Sequence, residues 1–342
     1  MRSLIELYSA NQKKQNNKKQ KVLEDFVKYY IASIVTGDVD PEYPLINYLK
    51  KKLNFNQEEL LWYCWLYGAT YHEASTHWIW LNLPEPMPSI EKFTSWHERH
   101  KKQIEFGRDL RGSRLKLHLK YRDYKRHVDK YGSQAEFFKG KSYMELWNIF
   151  RNEMFLFGRY STFFYLETLK RCAKLPISAP SMFLEEAWSP RKAICYIFGL
   201  DFNTTPPEVA AIKGDEILNL LKIRCAEAKV NRINSKHEII TNDGVDYEYL
   251  ETVLCAFRGA IFEGSRYVGY YIDRMQGGIL KMEQKTRTKL TDLWEARQEL
   301  FPHGHLGELH NWNNIRKPLL AVYAKTGKIV DLEPTRQLGF LE

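Results

Sequence analysis

The segment from Gln57 to Leu81 constrains the fold most, because it is apolar around most of the circumference of a helix. Asn56 precedes it and Glu59 stands three residues later, in the order of a helix capping box. Prolines at positions 84, 86 and 88 follow, and proline does not continue a helix. We therefore predict one long helix at the centre of the hydrophobic core, and a second helix capped by Ser89.

Helical spacing of apolar residues dominates the rest of the chain as well. Helices are predicted over Val22–Val35, Met144–Phe157, Arg159–Leu175, Ser181–Trp188, Pro190–Phe198, Pro207–Val230 and Tyr247–Phe262. Only Leu319–Leu332 has the alternation and the Lys-Thr-Gly-Lys turn of a β-hairpin. The predicted fold is mainly α, either one compact helical enzyme or a two-lobed one dividing near residue 140, with a small C-terminal β-hairpin.

Positive charge is concentrated in one part of the chain. The net charge of +9 comes from 51 Lys and Arg against 42 Asp and Glu, and Arg99–Lys130 alone holds 12 basic and 4 acidic residues. Within this basic segment, Leu115–Tyr121 alternates like a strand whereas Tyr121–Tyr131 suits a helix, and the pattern does not decide between them. A basic polar arm, residues 1–21, precedes a helical catalytic domain, residues 22–342. Such a charge distribution favours a polyanionic partner, with nucleic acid the first candidate.

Several classes of protein are excluded by what the sequence lacks. A membrane-spanning helix needs about 20 consecutive apolar residues, and no apolar run in the sequence is nearly that long. The N-terminus lacks the apolar core of a signal peptide. We therefore expect a cytoplasmic protein without a membrane partner.

The five scattered cysteines favour free thiols. His72 and His77 are five residues apart, not the four of the zinc protease motif, and the histidines of HGHLGELH (303–310) lack completing ligands, so no metal site is predicted.

Charged residues and tyrosines are interspersed among helix-forming residues between Leu250 and Gly278. If a helix restarts after Gly264-Ser265, Arg266 and Asp273 are seven residues apart and share a face, with Tyr270 between them. A cation, an anion and a phenol would then converge on one ligand. A surface ion pair beside a tyrosine-rich packing face explains the same spacing and stays open.

A second candidate is the predicted helix start at Ser189, where Arg191 and Lys192 stand in the first turn. Cations there oppose the partial positive charge of a helix N-terminus unless an anion is near. A bound phosphate would make both favourable. Neutralisation by Glu185 and Glu186, just before, is an equally supported alternative.

Arg159 is the third candidate, because it is surrounded by aromatic residues in FLFGRYSTFFY (155–165). An arginine in such company either stacks on a ring at the surface or is held for a planar anion. The sequence leaves both interpretations open.

Four segments, in this order, carry a family resemblance: the Trp- and Tyr-rich helix Leu61–Trp80, FGRYSTFFYLETLKR, FLEEAWSPRKAICYIFG and LETVLCAFRGAIFEGSRYVGYYIDR. Together they resemble the α-glutamyl/putrescinyl thymine pyrophosphorylase family, amino acid:DNA transferases encoded mainly by bacteriophages that hypermodify thymidine. The resemblance covers roughly residues 22–317 and rests on patterns of aromatic residues and arginines. Where a Tyr-Asn pair is expected in the first motif, this chain has Tyr71-His72, which weakens any role for that position.

The resemblance implies a reaction on double-stranded DNA that carries a modified pyrimidine. A separate kinase would phosphorylate and then pyrophosphorylate 5-hydroxymethyluracil, and the transferase would replace the pyrophosphate with an amine from an amino acid or a polyamine. Such a reaction needs cations for the leaving pyrophosphate, a general base for the amine and an aromatic platform for a flipped base. The scheme requires no metal cofactor, and magnesium on the pyrophosphate is compatible with it. A phage-encoded protein would act in the host cytoplasm.

The resemblance also implies roles for individual residues. Catalytic roles fall on Asp273, Arg266 and Glu263, with Asp273 the first choice of base and Glu263 the second. The residues that would bind pyrophosphate are Arg159, Arg191, Lys192 and Arg258. Those that would stack on the flipped base are Trp188, Tyr267 and Tyr270. Contacts to the DNA backbone fall on Lys116, Lys120, Arg122, Lys125 and Arg126, with Tyr121 and Tyr124 interleaved.

Two other functions remain as alternatives. A helical, DNA glycosylase-like base-excision enzyme would use Asp273 to assist excision, but the chain lacks a helix-hairpin-helix turn of the form Leu-Pro-Gly-x-Gly. A non-enzymatic basic protein that binds nucleic acid would depend on Arg99–Lys130 and not on Asp273 or Arg266.

Overall fold

The chain is mainly helical, as predicted. The computed structural model describes residues 20–34, 37–107, 115–227, 232–233, 239–240, 244–264, 266 and 268–301. The helices are α1 (20–34), α2 (Glu42–Lys52), α3 (Gln57–Thr70), α4 (Glu73–Asn82), α5 (Ile90–His100), α6 (Leu117–Asp129), α7 (Gln134–Phe138), α8 (Tyr143–Glu153), α9 (Arg159–Cys172), α10 (Trp188–Phe198), α11 (Pro207–Glu227), α12 (Tyr247–Arg258), α13 (Tyr270–Thr286) and α14 (Thr291–Leu300). A π-helical turn, Gly259–Glu263, follows α12, and two short strands, Arg232–Ile233 and Ile239–Ile240, pair antiparallel.

Two compact units divide the chain, and each is built from separate segments. Unit 1 comprises residues 1–39, 181–270 and 302–342, and unit 2 comprises Asp40–Pro180 and Tyr271–Phe301. The chain therefore enters unit 2 at Asp40 and Tyr271 and leaves it at Pro180 and Phe301. It is not divided into two lobes at a single point near residue 140. The separation of a basic arm from a catalytic domain at residue 22 stays a prediction.

Some predicted features lie outside the described residues. They are the C-terminal β-hairpin at Leu319–Leu332, the histidines of HGHLGELH, residues 1–19 of the basic arm, and Tyr267. Among the described residues, no helix has both the length and the apolar character that crossing a bilayer requires.

The predicted long helix is two helices, and this prediction was wrong in one respect. Its start is confirmed, because the Glu59 amide donates to Asn56 Oδ1 at 3.0 Å and the Asn56 amide donates to Glu59 Oε2 at 2.8 Å. The helix ends at Thr70, however, because Tyr71 adopts the left-handed conformation, with φ of 49°. His72 then caps the next helix, α4, by accepting a hydrogen bond from the Ser75 amide.

The core of unit 2 is built on α3, whose residues from Leu60 to Thr70 are all buried. The rings of Trp62 and Trp65 stack at a centroid distance of 5.3 Å, and Trp65 stacks in turn on Tyr124 at 5.2 Å. Gly68 lets α9 approach, since a Cβ at this position would lie 2.4 Å from the Tyr165 ring. The aromatic side chains of α3 therefore pack the core of unit 2.

Unit 1 packs α1 and α10 against α12. The Phe26 and Phe257 rings meet edge to face at 5.2 Å. The helix predicted over Ser181–Trp188 is wrong, because Phe183 has φ of 49° and its amide bonds to Ser181 Oγ, which closes a turn. The chain becomes helical only at Trp188.

The basic segment forms a helix where the sequence left strand and helix open. Helix α6 buries Tyr121 and Tyr124 completely, so neither tyrosine is available to a nucleic acid. Lys120 is fully buried too, and its ammonium lies 3.9 Å from the centroid of the Phe157 ring. The assignment of Lys120 to the DNA backbone was therefore wrong, whereas Lys116, Arg122 and Arg126 are exposed.

Burial of Lys120 has a cost in stability. It lowers the pKa of the ammonium to about 7, and Nζ has no hydrogen-bond partner among the described residues. A lysine in the unfolded chain has a pKa of about 10.4, so between about pH 7 and pH 10 the unfolded state binds more protons than the folded state. This lysine therefore makes the free energy of unfolding rise with pH in that window.

We expect Lys120→Met to raise the free energy of unfolding at pH 7 by about 4 kcal/mol, because the cost of deprotonating a buried lysine disappears. Denaturant unfolding at several pH values between 7 and 10 measures this, and the gain should shrink as the pH rises. The exposed neighbour Lys116→Met serves as the control and should follow the wild type. Parallel pH curves for Lys120→Met and the wild type would contradict the assignment.

Candidate active site

The break between α3 and α4 places Tyr71 and Glu73 in the interior of unit 2, with the half-buried His72 between them. The left-handed backbone at Tyr71 is supported by Gly107, whose amide donates to the Thr70 carbonyl at 2.9 Å. A Cβ at Gly107 would lie 2.6 Å from the Tyr71 carbonyl oxygen, so only glycine permits this approach. The Phe164 ring packs on the Tyr71 ring at a centroid distance of 4.0 Å. Packing against Gly107 and Phe164 therefore holds the break between α3 and α4 in place.

Three carboxylates are buried in this part of unit 2, and we call them the acidic site: Asp40, Glu42 and Glu73, with exposures of 2%, 2% and 5%. Burial, reinforced by the charge of Glu73 and a hydrogen bond to it, raises the pKa of Glu42 well above its usual range. Glu42 Oε2 has no hydrogen-bond donor among the described residues. The raised pKa therefore favours the protonated form of Glu42.

Arg274 and His72 are the basic groups that face the acidic site. The charge of Arg274 lowers the pKa of Glu42 and so partly opposes the effect of burial. The Arg274 guanidinium also lies over the Tyr71 ring, with Cζ 5.2 Å from its centroid. Burial lowers the pKa of His72, and its Nδ1 accepts from the Ser75 amide at 3.2 Å, so a neutral His72 carries its proton on Nε2.

Aromatic rings surround Tyr71 at this site. The Tyr160 and Tyr67 rings lie 5.6 and 6.0 Å from it, centroid to centroid. Burial raises the pKa of both Tyr67 and Tyr71 well above the usual range, so both remain neutral phenols. Carboxylates next to aromatic faces are the groups that bind an organic ammonium ion.

The predicted common helix face of Arg266 and Asp273 does not exist. The chain leaves the π-helical turn at Gly264, which has φ of 58°, and helix α13 starts only at Tyr270, after Gly269 with φ of 98°. Asp273 lies in the first turn of α13, is 3% exposed and belongs to unit 2, beside Arg274. Arg266 belongs to unit 1.

Unit 1 contains four cations that we call the cationic cluster: Arg191, Lys192 and Arg258 beside Trp188 and Phe202, and Arg266 beside Tyr270 and Gly259. Helix α10 begins at Trp188, with Ala187 in the cap position, so the prediction of Ser189 as the cap was wrong. The Ser189 hydroxyl instead accepts from Arg258 Nε at 2.7 Å.

Aromatic rings hold most of the cationic cluster in place. Arg258 Cζ and Lys192 Nζ lie 4.9 and 5.1 Å from the Trp188 ring centroid, and Arg191 Cζ lies 4.6 Å from that of Phe202. Trp188 itself is 49% exposed. A ring face attracts a cation without supplying an opposite formal charge, so these contacts do not neutralise the cluster.

The carboxylate of Glu263 offsets one of these charges. Arg258 Nη1 donates to Glu263 Oε1 at 2.6 Å, which places Glu263 in an ion pair. Because a base that is already paired with a cation is a poor proton acceptor, this geometry does not favour Glu263 as the general base.

Arg266 is fixed by a glycine and a tyrosine. Its Cζ lies 3.9 Å from the centroid of the Tyr270 ring. A Cβ at Gly259 would lie 2.4 Å from Arg266 Cγ, so the arginine chain crosses the π-helical turn where the turn has no side chain. The predicted association of Arg266 with Tyr270 is thereby found in the structure, although not within one helix.

Arg159 starts α9 in unit 2, so it is not part of the cationic cluster. Its Cζ lies 4.8 Å from the Phe163 ring centroid, and the residue is 9% exposed. Of the two interpretations that the sequence left open, stacking on a ring is the one observed, and it occurs in the interior.

A family model for amino acid:DNA transferases matches residues 34–263. The chain belongs to this family. No curated protein matches the chain. The family match confirms the resemblance seen in the sequence and gives the general activity, which is transfer of an amino acid to DNA. It includes the acidic site and Arg258 but ends before Arg266 and Asp273.

The residues of this transferase that sequence reasoning missed are Asp40, Glu42 and Glu73. One signal was present, because GDVDPEY (37–43) is an acidic run in a basic chain, and its last two residues begin α2. Glu73 gave no such signal, since it lay inside what read as a continuous helix.

We expect the close approach of Arg266 to Gly259 to appear as a coupling free energy. Gly259→Ala should destabilise the transferase by about 1–3 kcal/mol, because its Cβ overlaps the Arg266 chain. In the Arg266→Ala background the same change should cost less than about 0.5 kcal/mol, since Cγ is absent. Urea unfolding of the two single variants, the double variant and the wild type measures this, and additive effects would show that the two residues do not touch.

Proposed function

We propose that the transferase replaces the pyrophosphate of pyrophosphorylated 5-hydroxymethyluracil, in double-stranded DNA, with an amine from an amino acid or a polyamine. The amine nitrogen forms a bond to the exocyclic methylene carbon of the base as the carbon–oxygen bond to pyrophosphate breaks. The electron pair of that bond leaves with pyrophosphate, and a proton from nitrogen passes to a carboxylate. The observation that supports this proposal best is the acidic site within the family-matched region.

The acidic site suits the amine. Its three carboxyl groups are buried, the guanidinium of Arg274 offsets part of their charge, and the Tyr71 ring lies beside that guanidinium. A protonated amine would supply further positive charge and a donor to Glu42 Oε2, which has none among the described residues. Glu42 carries a proton because of its raised pKa. Glu73 is accordingly our first choice to accept the proton from the amine.

Asp273, the first choice of base from the sequence, becomes our second choice here. It is buried one residue before Arg274, in the first turn of α13. Its position in unit 2, together with the acidic site, keeps it a candidate for the same proton transfer.

The cationic cluster of unit 1, considered by itself, suits a pyrophosphate anion. Pyrophosphate develops negative charge as it departs, and preorganised cations stabilise it without having to reorient. Arg191, Lys192 and Arg258 are held on aromatic faces, which fixes them while leaving their charge available. The exposed Trp188 ring is our candidate platform for the flipped base.

These cations allow the reaction to proceed without a metal cofactor in our scheme. We therefore expect turnover without added magnesium, and no increase when millimolar magnesium is supplied. A strict requirement for magnesium would move the stabilisation of pyrophosphate from the arginines to the metal.

The decisive experiment is incubation of the transferase with pyrophosphorylated 5-hydroxymethyluracil DNA and a panel of amines, followed by nucleoside mass spectrometry. Glutamate, glycine and putrescine form a suitable panel because they differ in charge and size. An aminated nucleoside together with released pyrophosphate supports the proposal. Abasic sites would instead indicate a glycosylase, and unchanged DNA that is nonetheless bound would indicate a non-enzymatic binding protein.

We expect Glu73→Gln to lower the rate of amine transfer by about 100-fold or more while leaving DNA affinity unchanged, because a general base contributes about that much. Glu208→Gln, an exposed glutamate at the start of α11, serves as the control. Single-turnover mass spectrometry and a DNA-binding isotherm measure the two quantities. If Glu73→Gln is fully active and Asp273→Asn is not, Asp273 is the base.

The exposed arginines of α6 are our candidates for the DNA backbone. We expect Arg122→Gln combined with Arg126→Gln to weaken DNA binding and to reduce the slope of log K against log salt by about 1 for each phosphate that is no longer neutralised. Lys51→Gln with Lys139→Gln, two exposed lysines outside the basic segment, removes the same charge as a control. An equal reduction in slope for both double variants would mean that α6 has no special role.

A further inference from the structure

Two histidines and a glutamate converge where α5 meets α6, in unit 2. His97 and Glu98 lie in the last turn of α5, and His118 lies in the first turn of α6. The two histidine Nδ1 atoms are 3.1 Å apart. Glu98 Oε1 lies 3.9 Å from His97 Nδ1 and 3.8 Å from His118 Nδ1.

The surroundings of this triad hold the carboxylate in place. Lys101 Nζ lies 2.5 Å from Glu98 Oε2, so the second oxygen, Oε1, is the one presented to the histidines. His97 is completely buried, whereas the side chains of His118 and Glu98 are 19% and 47% exposed. The triad is therefore anchored on its inner side and open to solvent on its outer side.

A tetrahedral metal ion fits this arrangement. Ligand nitrogens about 2.05 Å from zinc and separated by the tetrahedral angle are about 3.3 Å apart, close to the distance between the two Nδ1 atoms. The carboxylate oxygen needs to move inward by about 0.5 Å to complete the set, which an exposed side chain on a helix surface permits. A hydrogen bond between two neutral histidines explains the nitrogen–nitrogen distance as well, but it gives no reason for the carboxylate to converge on the same point.

We propose that His97 Nδ1, His118 Nδ1 and Glu98 Oε1 bind a divalent ion of the zinc class, with water as the fourth ligand. The ion joins the last turn of α5 to the first turn of α6. Lys101 acts as an outer partner that orients the carboxylate ligand. This site shares no residue with the acidic site or the cationic cluster, and its existence does not depend on the proposed reaction.

Zinc binding by the whole protein tests the site directly. After dialysis against a chelator and its removal, isothermal titration with zinc chloride should show one equivalent bound per wild-type chain. His118→Ala should lower zinc affinity by about 100-fold or more, and Lys101→Met by about tenfold, in keeping with the loss of a ligand and of an outer partner. His127→Ala removes another histidine of α6, one whose Nδ1 contacts the Asp123 carbonyl, and should bind zinc as the wild type does.

A second measurement distinguishes loss of the zinc site from misfolding of the variant. His118 is the histidine of choice because it is partly exposed, and its variant should keep the helical circular dichroism spectrum of the wild type. Cobalt bound to the wild type should give the visible absorption of a four-coordinate site, and His118→Ala should not. The proposal is overturned if the wild type takes up no stoichiometric zinc, or if folded His118→Ala binds zinc as tightly as the wild type.

Discussion

The left-handed backbone at Tyr71 is the constraint on which the acidic site depends. A non-glycine residue in this conformation costs about 1–3 kcal/mol and persists only where its surroundings enforce it. Here Gly107 and the Phe164 ring provide that enforcement. Because the helix stops at Tyr71, His72 can cap α4, and Glu73 enters the interior as the first residue of a new helix. A continuous helix would place these three residues on different faces, about 100° apart at each step.

The two sets of charged residues are stabilised by opposite means. In the acidic site, like charges are buried together, and the conflict is relieved by retaining a proton on Glu42 and by the nearby Arg274. In the cationic cluster, the charges are kept and are supported by the faces of Trp188, Phe202 and Tyr270. The first arrangement is poised to exchange a proton, and the second to attract an anion.

Sequence reasoning recovered the helical class, the Asn56 capping box, the Ser89 cap and the family. These are local patterns, or patterns of residue type along the chain, and a sequence displays both. It missed the break at Tyr71, because the support from Gly107 comes from 36 positions further along the chain. It assigned Lys120 to a phosphate for a related reason. Charge is visible in a sequence, whereas the packing that buried this lysine against Phe157 is not.

The acidic site was missed for the same reason. Glu42, Glu73 and Arg274 belong to three helices, and only tertiary packing brings them together. By contrast, Arg191, Lys192 and Trp188 are neighbours on one helix, so the sequence could single them out as a group.

Because a chain is synthesised from its N-terminus, the division of unit 2 into two segments means that its two parts become available at different times. Asp40–Pro180 is synthesised before the other segment of unit 2 and contains every carboxylate of the acidic site, whereas Arg274 follows only after the whole of residues 181–270. Until then, Glu42 and Glu73 lack the arginine that offsets their charge in the folded protein. The nascent N-terminal segment therefore carries uncompensated acids in its future interior, and the final assembly of unit 2 waits for its last two helices.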